Sequence, residues 1–292
     1  MIEFYKIASA NSRLHYIILS VTGLVIYFVP LKDLLHLAMR SQLYSHIVLI
    51  PVISAVLCYA RKEAIFASPC YSLQAGTTVI FISLTLYVLA ALNEHHLNEN
   101  NYLSVAALSM VGWWIGGFIM IYGWQSFLKA SFPLLFLLFI VPIPGILLDR
   151  AVLALQVGST EAAYWIFKVI GVPFSRQGFI FSLPTLDIEV APQCSGIRSA
   201  LVLFIVGLLL GHLLLKTKGC KAILALCVYP IAIFKNGLRI VTLSVIATYV
   251  DETILEGSLH TSGGIPFFVL AVLFLLPVCY LLKRYEEKSL TR

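Results

Sequence analysis

Residues 263–282 read GGIPFFVLAVLFLLPVCYLL, twenty positions without an Asp, Glu, Lys, Arg or His. A helix rises about 1.5 Å per residue, so about twenty apolar residues cross the hydrocarbon of a bilayer. Lys283 and Arg284 follow at once, as cations do at the cytoplasmic end of a span. Working back from this stretch, further apolar runs fall near 14–31, 45–60, 76–92, 103–123, 131–148, 197–215 and 220–237. Composition agrees with them. The chain is 60% hydrophobic and 12% charged, with mean hydropathy +0.94, whereas a soluble domain carries about 25% charged residues. The fold class is therefore all-α: a polytopic transmembrane bundle of roughly eight spans, a single integral membrane domain over 1–292.

The net charge of +6 reads as topology and not as a nucleic-acid surface, because the cations sit at helix ends. Lys6 and Arg13 precede the first run, Arg61 and Lys62 follow the second, and Lys129 follows the fourth. Lys216, Lys218 and Lys221 separate the sixth and seventh, and Lys283, Arg284, Lys288 and Arg292 close the chain. With roughly eight spans all of these fall on one side, which the positive-inside rule makes cytoplasmic, with both termini. No small-residue cleavage site follows the first run, so it is expected to be a retained helix. The opposite face receives 32–44, the polar Asn93-Glu94-His95-His96 loop, 149–196 and 251–262. Within 149–170, Asp149, Arg150 and Glu161 interrupt apolar stretches, as in an interfacial amphipathic helix. Aromatic and β-branched residues flank a Pro-Thr turn in 178–190, which predicts a short hairpin on the outer face.

Three polar features gather on that face although they lie far apart in sequence. They are Cys194-Ser195-Gly196-Ile197-Arg198-Ser199 before the sixth run, Lys235-Asn236-Gly237-Leu238-Arg239 at the end of the seventh, and His260-Thr261-Ser262-Gly263-Gly264 before the eighth. A helix start and a nearby cation both favour thiolate over thiol, so a cysteine there is a plausible nucleophile. Histidine can move the proton of thiol and leaving amine near neutral pH. Arginine stays charged and can hold a carboxylate or an oxyanion. Together these residue types suit acyl transfer through a thioester. The other cysteines, Cys58, Cys70, Cys220, Cys227 and Cys279, show neither metal spacing nor a disulfide framework.

At these residues the sequence resembles the exosortase/archaeosortase family of membrane-embedded cysteine transpeptidases. The block 194–199 looks like the family's nucleophile motif, Asn236-Gly-Leu-Arg239-Ile240 like its Asn-x-x-Arg-Ile block, and His260 with Gly263-Gly264 like its histidine block. Tyr44-Ser45-His46 and Val141-Pro142-Ile143-Pro144 are weaker matches upstream. The ordered set covers about residues 40–282, the expected catalytic core. The resemblance implies Cys194 as nucleophile, Arg239 as oxyanion or substrate-binding cation, and His260 as general acid/base. It also implies substrates that are exported proteins ending in a short motif, a hydrophobic helix and a basic tail, cleaved at the outer face of a cell membrane and passed to an acceptor amine or to water.

Around that triad, Asn236 is placed to orient His260 or Arg239, and Arg198, four residues after Cys194, lies on nearly its helix face. Gln193 and Glu189 flank the thiol and can hydrogen-bond substrate backbone, while Ser195 and His46 are secondary candidates. No metal, organic cofactor or nucleic acid is expected; the partners are substrate protein and membrane lipid. Two other classes compete. A multi-span transporter would need a polar path through both leaflets, and a non-catalytic partner in polysaccharide export would function without Cys194.

Overall fold

The structure, a computed structural model, describes residues 2–67, 70–249 and 264–290. The chain packs as two compact units, 1–147 and 148–292.

In the first unit, α1 (Ile2–Ile26) and α2 (Phe28–Arg40) form one apolar stretch bent by 74° at Tyr27. Pro30 lies in the first turn of α2, where its missing N–H is tolerated, but it cannot bond back across the bend. Tyr27 is fully buried there. Its hydroxyl lies 2.7 Å from Ser109 Oγ, which donates in turn to the Ser83 carbonyl at 2.6 Å. The short helices α3 (Ile50–Ala60) and α4 (Lys62–Ile65) lead to α5 (Leu73–Leu92) and α6 (Glu99–Tyr122). The last two pack closely because Gly76 meets the Met120 backbone and Gly116 meets that of Ile80; small residues let membrane helices approach this way. Asn98 caps α6, its side chain accepting the Asn101 N–H at 2.8 Å. Helix α6 is the buried centre of the unit.

After α7 (Trp124–Lys129) and α8 (Ser131–Phe136) the chain breaks at 141–144. Two prolines remove backbone donors there, and the freed groups are met by side chains. Ser104 Oγ donates to the Pro142 carbonyl at 2.9 Å, Asn100 Nδ2 to that of Ile143 at 2.7 Å, and the Gly145 N–H to Asn101 Oδ1 at 2.8 Å. Helix α9 (Gly145–Ile170) starts on this cradle. The segment 149–170, expected as an interfacial helix, is thus continuous with the end of the fifth apolar run.

The second unit continues from α9 into a three-stranded antiparallel sheet, β1 (Ser175–Gln177), β2 (Ile180–Ser182) and β3 (Asp187–Glu189). β2 and β3 form the expected hairpin, and β1 adds a strand that the sequence reading did not include. Phe181, Val190, Phe167 and Val241 bury this sheet against α9 and against the later helix over Lys218–Tyr249. A turn of 3₁₀ helix over Pro192–Cys194 leads into α10 (Ile197–Leu214), α11 (Lys218–Tyr249) and α12 (Gly264–Leu290). Leu203, Leu224, Val228 and Leu275 form the core of these three helices. Glu286, buried near the end of α12, accepts the N–H groups of Lys216 at 2.9 Å and Thr217 at 2.7 Å, together with the Thr217 hydroxyl. It thereby caps the entry to α11.

Among the described residues, five helical stretches can cross a membrane by length and composition: α5, α6, Pro192–Leu214, α11 and α12. The two broken pairs raise the number to seven, and the second apolar run forms the short helix over 45–60. Large apolar side chains lie exposed along them, as with Leu226 at 73% and Phe81 at 71%. Water does not tolerate apolar surface on that scale, whereas lipid does. The molecule is a multi-pass, largely α-helical membrane protein.

Candidate active site

The site is built where the sheet, the head of α10 and the middle of α11 meet within the second unit. Pro192 begins the 3₁₀ turn, in which the Cys194 N–H donates to the Ala191 carbonyl at 2.8 Å and that of Ser195 to Pro192 at 3.1 Å. Gly196 then takes φ +77°, the left-handed region, and α10 starts at Ile197. A Cβ on Gly196 would also stand 2.8 Å from Asn236 Oδ1. Position 196 therefore requires glycine twice over, for the backbone bend and for the approach of α11.

Asn236 is 1% exposed and ties three elements together. Its Nδ2 donates to the Cys194 carbonyl at 2.8 Å and to Ser159 Oγ on α9 at 3.0 Å. Gly237 makes this reach possible, since a Cβ there would lie 2.7 Å from Ala162 Cβ. One residue earlier, the buried Lys235 ammonium donates to Ser199 Oγ at 2.5 Å, and Ser199 Oγ donates to the Gly196 carbonyl at 2.9 Å. On the opposite side Gln156 of α9 donates from Nε2 to the Val190 carbonyl at 2.6 Å, fixing the end of the sheet beside the cysteine.

These contacts enclose a cavity of about 60 Å³, room for a few water molecules. Cys194, Asn236, Arg239, Glu189 and Ser244 supply its polar groups; Ile188, Val190, Ile240 and Leu243 supply apolar walls. Arg239 is half-buried and follows Asn236 by three residues, so both point to one face of α11. Helix α11 runs on to Tyr249, so Arg239 sits inside the helix and not at its outer end, where the seventh apolar run stops. The cavity joins a thiol, a guanidinium and a carboxylate in a mostly apolar lining, a set able to form a covalent acyl intermediate and stabilise its oxyanion.

Of the remaining sequence candidates, Ser195 is 1% exposed, and its Oγ has no hydrogen-bond partner among the described residues. Gln193 and Arg198 are exposed. His46 lies in the first unit, its Nδ1 3.1 Å from the Leu43 carbonyl. His260 lies outside the described residues. Sequence reasoning gave Lys235 no role of its own and passed over Ser159 and Gln156. Lys235 had a readable signal, since a lysine amid an apolar run is costly. Gln156, Ser159 and Thr160 also share helical spacing and all are buried, a polar stripe whose purpose shows only once Asn236 is opposite it. Among the described residues no group of His, Cys, Asp and Glu is arranged to hold a metal ion.

A family model described as transmembrane exosortase matches residues 38–277. No curated protein and no solved structure matches the chain.

Proposed function

Because the chain belongs to the transmembrane exosortase family, a class of membrane transpeptidases, we propose that it cleaves the carboxy-terminal sorting signals of exported proteins through a Cys194 thioester. The Cys194 sulfur attacks the scissile carbonyl and Arg239 stabilises the oxyanion. His260 takes the thiol proton and delivers it to the leaving amine. An acceptor amine or water then releases the acyl group. The observation that carries this reading is that Cys194 and Arg239, remote in sequence, line one small cavity together with Asn236. Tight fixation of the cysteine backbone by Asn236 supports it, since a nucleophile must be held in place to react. The orientation that goes with it has both termini in the cytoplasm and the cavity on the outer face, where a substrate helix diffusing in the bilayer presents its motif.

The test is co-expression with an exported protein of the same genome that ends in a motif, a hydrophobic helix and a basic tail. Intact mass of that protein is measured with wild type, Cys194→Ala, Arg239→Ala and His260→Ala. Wild type should remove the tail. Cys194→Ala should lower the rate about a thousand-fold or more, and the other two about a hundred-fold or more. Processing by Cys194→Ala at the wild-type rate would overturn the thiol mechanism.

A further inference from the structure

We propose that Glu189 is the subsite for the acceptor, and that the acceptor is a primary alkylammonium. The inference rests on the thioester reading above and names what resolves the thioester.

Glu189 is the acid among the cavity-lining residues, as Arg239 is the base. It sits on the last position of β3, where its backbone pairs with Ile180. The next residue, Val190, is buried and held from both sides: its N–H donates to the Phe179 carbonyl at 2.9 Å, and its carbonyl accepts from Gln156. The carboxylate is therefore carried on a fixed element rather than a free loop. Its side chain is nevertheless solvent-exposed and, among the described residues, has neither a salt-bridge nor a hydrogen-bond partner. Arg176, a cation on the neighbouring β1, pairs instead with Glu161 on α9. A carboxylate in no ion pair, at the rim of a mostly apolar cavity that it shares with Arg239, attracts a cation, and the low-dielectric wall strengthens the attraction. Arg239 suits the electron-rich side of the reaction, the substrate carbonyl. Glu189 suits the electron-poor side, the incoming ammonium.

The chemistry closes without a further reagent. The bound ammonium loses one proton to solvent, and its nitrogen lone pair attacks the thioester carbonyl. The C–S bond breaks with its electron pair going to sulfur, and the second proton shed by nitrogen ends on the Cys194 thiol. The product is an amide. Water reaching the same carbonyl gives the free acid, so occupancy of the Glu189 subsite decides between transfer and hydrolysis.

The experiment compares two amines of different charge on the purified full-length protein. n-Propylamine is a cation near neutral pH and hydroxylamine is neutral. Each is offered with the uncleaved form of an exported protein that wild type processes in the test above, and the adducts are read by intact mass with wild type, Glu189→Gln and Glu189→Asp. The ratio of propylamine adduct to hydroxylamine adduct should fall about ten-fold in Glu189→Gln and recover in part in Glu189→Asp. A purely structural role would lower both adducts together and leave the ratio unchanged, which overturns the inference. So would a rise in substrate KM with no change in the ratio, which would place Glu189 on the sorting signal. Failure of the thioester reading looks different, because wild type would then yield no adduct with either amine. The natural amine, on a peptide or a lipid headgroup, is distinguished by adduct mass in choline-headgroup vesicles with diglycine and in ethanolamine-headgroup vesicles without it; Glu189→Gln should lose either adduct.

Discussion

The tightest constraint on the site is a single backbone angle. Gly196 at φ +77° turns the chain so that Cys194 stands just before α10 with its carbonyl toward Asn236. Alanine at 196 would cost about 1–2 kcal/mol in backbone strain alone. Its methyl would also press on Asn236 Oδ1, which disturbs the amide holding the cysteine. Gly196→Ala should therefore lower both thermal stability in detergent and the processing rate, the latter more than stability explains. A variant with a normal melting temperature and normal processing would show that the bend is dispensable. At this scale much was legible in sequence. Cysteine, asparagine and arginine are conspicuous against apolar runs, and Cys194, Asn236 and Arg239 do share one cavity. What stayed hidden was the supporting set. Ser159 and Gln156 are ordinary helix residues until their partners, a side-chain amide and a strand-end carbonyl, are known to face them.

Elements were legible wherever hydropathy alone decides them. Each of the eight apolar runs is helical over most of its described residues, but the fifth, read as one run over 131–148, is broken at 141–144 and bent by 90°. The reading fell short where polar residues are satisfied inside the protein. Lys235 and Asn236 end the seventh apolar run in sequence, but α11 continues through them to Tyr249, and Ser199, Ser159 and the Cys194 carbonyl receive their donors inside the protein. The same principle acts at the other end of the helix. Glu286 of α12 answers the backbone donors that a helix start leaves open. Glu286→Ala should destabilise the protein by about 1–3 kcal/mol, since two part-buried N–H groups lose a charged acceptor. Glu286→Gln, which keeps an oxygen at the site, should lose less. Thermal unfolding in detergent reads both; an unchanged midpoint in Glu286→Ala would mean that water replaces the carboxylate.

For the whole molecule the open quantity is which way it faces. Hydropathy gives spans without direction, and the helices carry no membrane with them. Direction rests on where the cations lie: Arg61 and Lys62 before α5, Lys129 after α6, Lys216 and Lys218 at the entry to α11, and Lys283 onward. The cost of moving Lys and Arg through the bilayer during insertion keeps such segments inside. Cys70, exposed in the same connection as Arg61 and Lys62, is a natural reporter of that side. Glu94, exposed beyond the far end of α5, reports the other once changed to cysteine. In intact cells treated with a membrane-impermeant maleimide, Cys70 should stay unmodified and Glu94→Cys should react. After permeabilisation both should react, with peptide mass spectrometry assigning each site. The reverse pattern would turn the protein over and put the Cys194 cavity on the cytoplasmic side, where an exported substrate does not present its motif. One labelling experiment therefore tests the orientation and, with it, whether the cavity faces the compartment that the proposed chemistry needs.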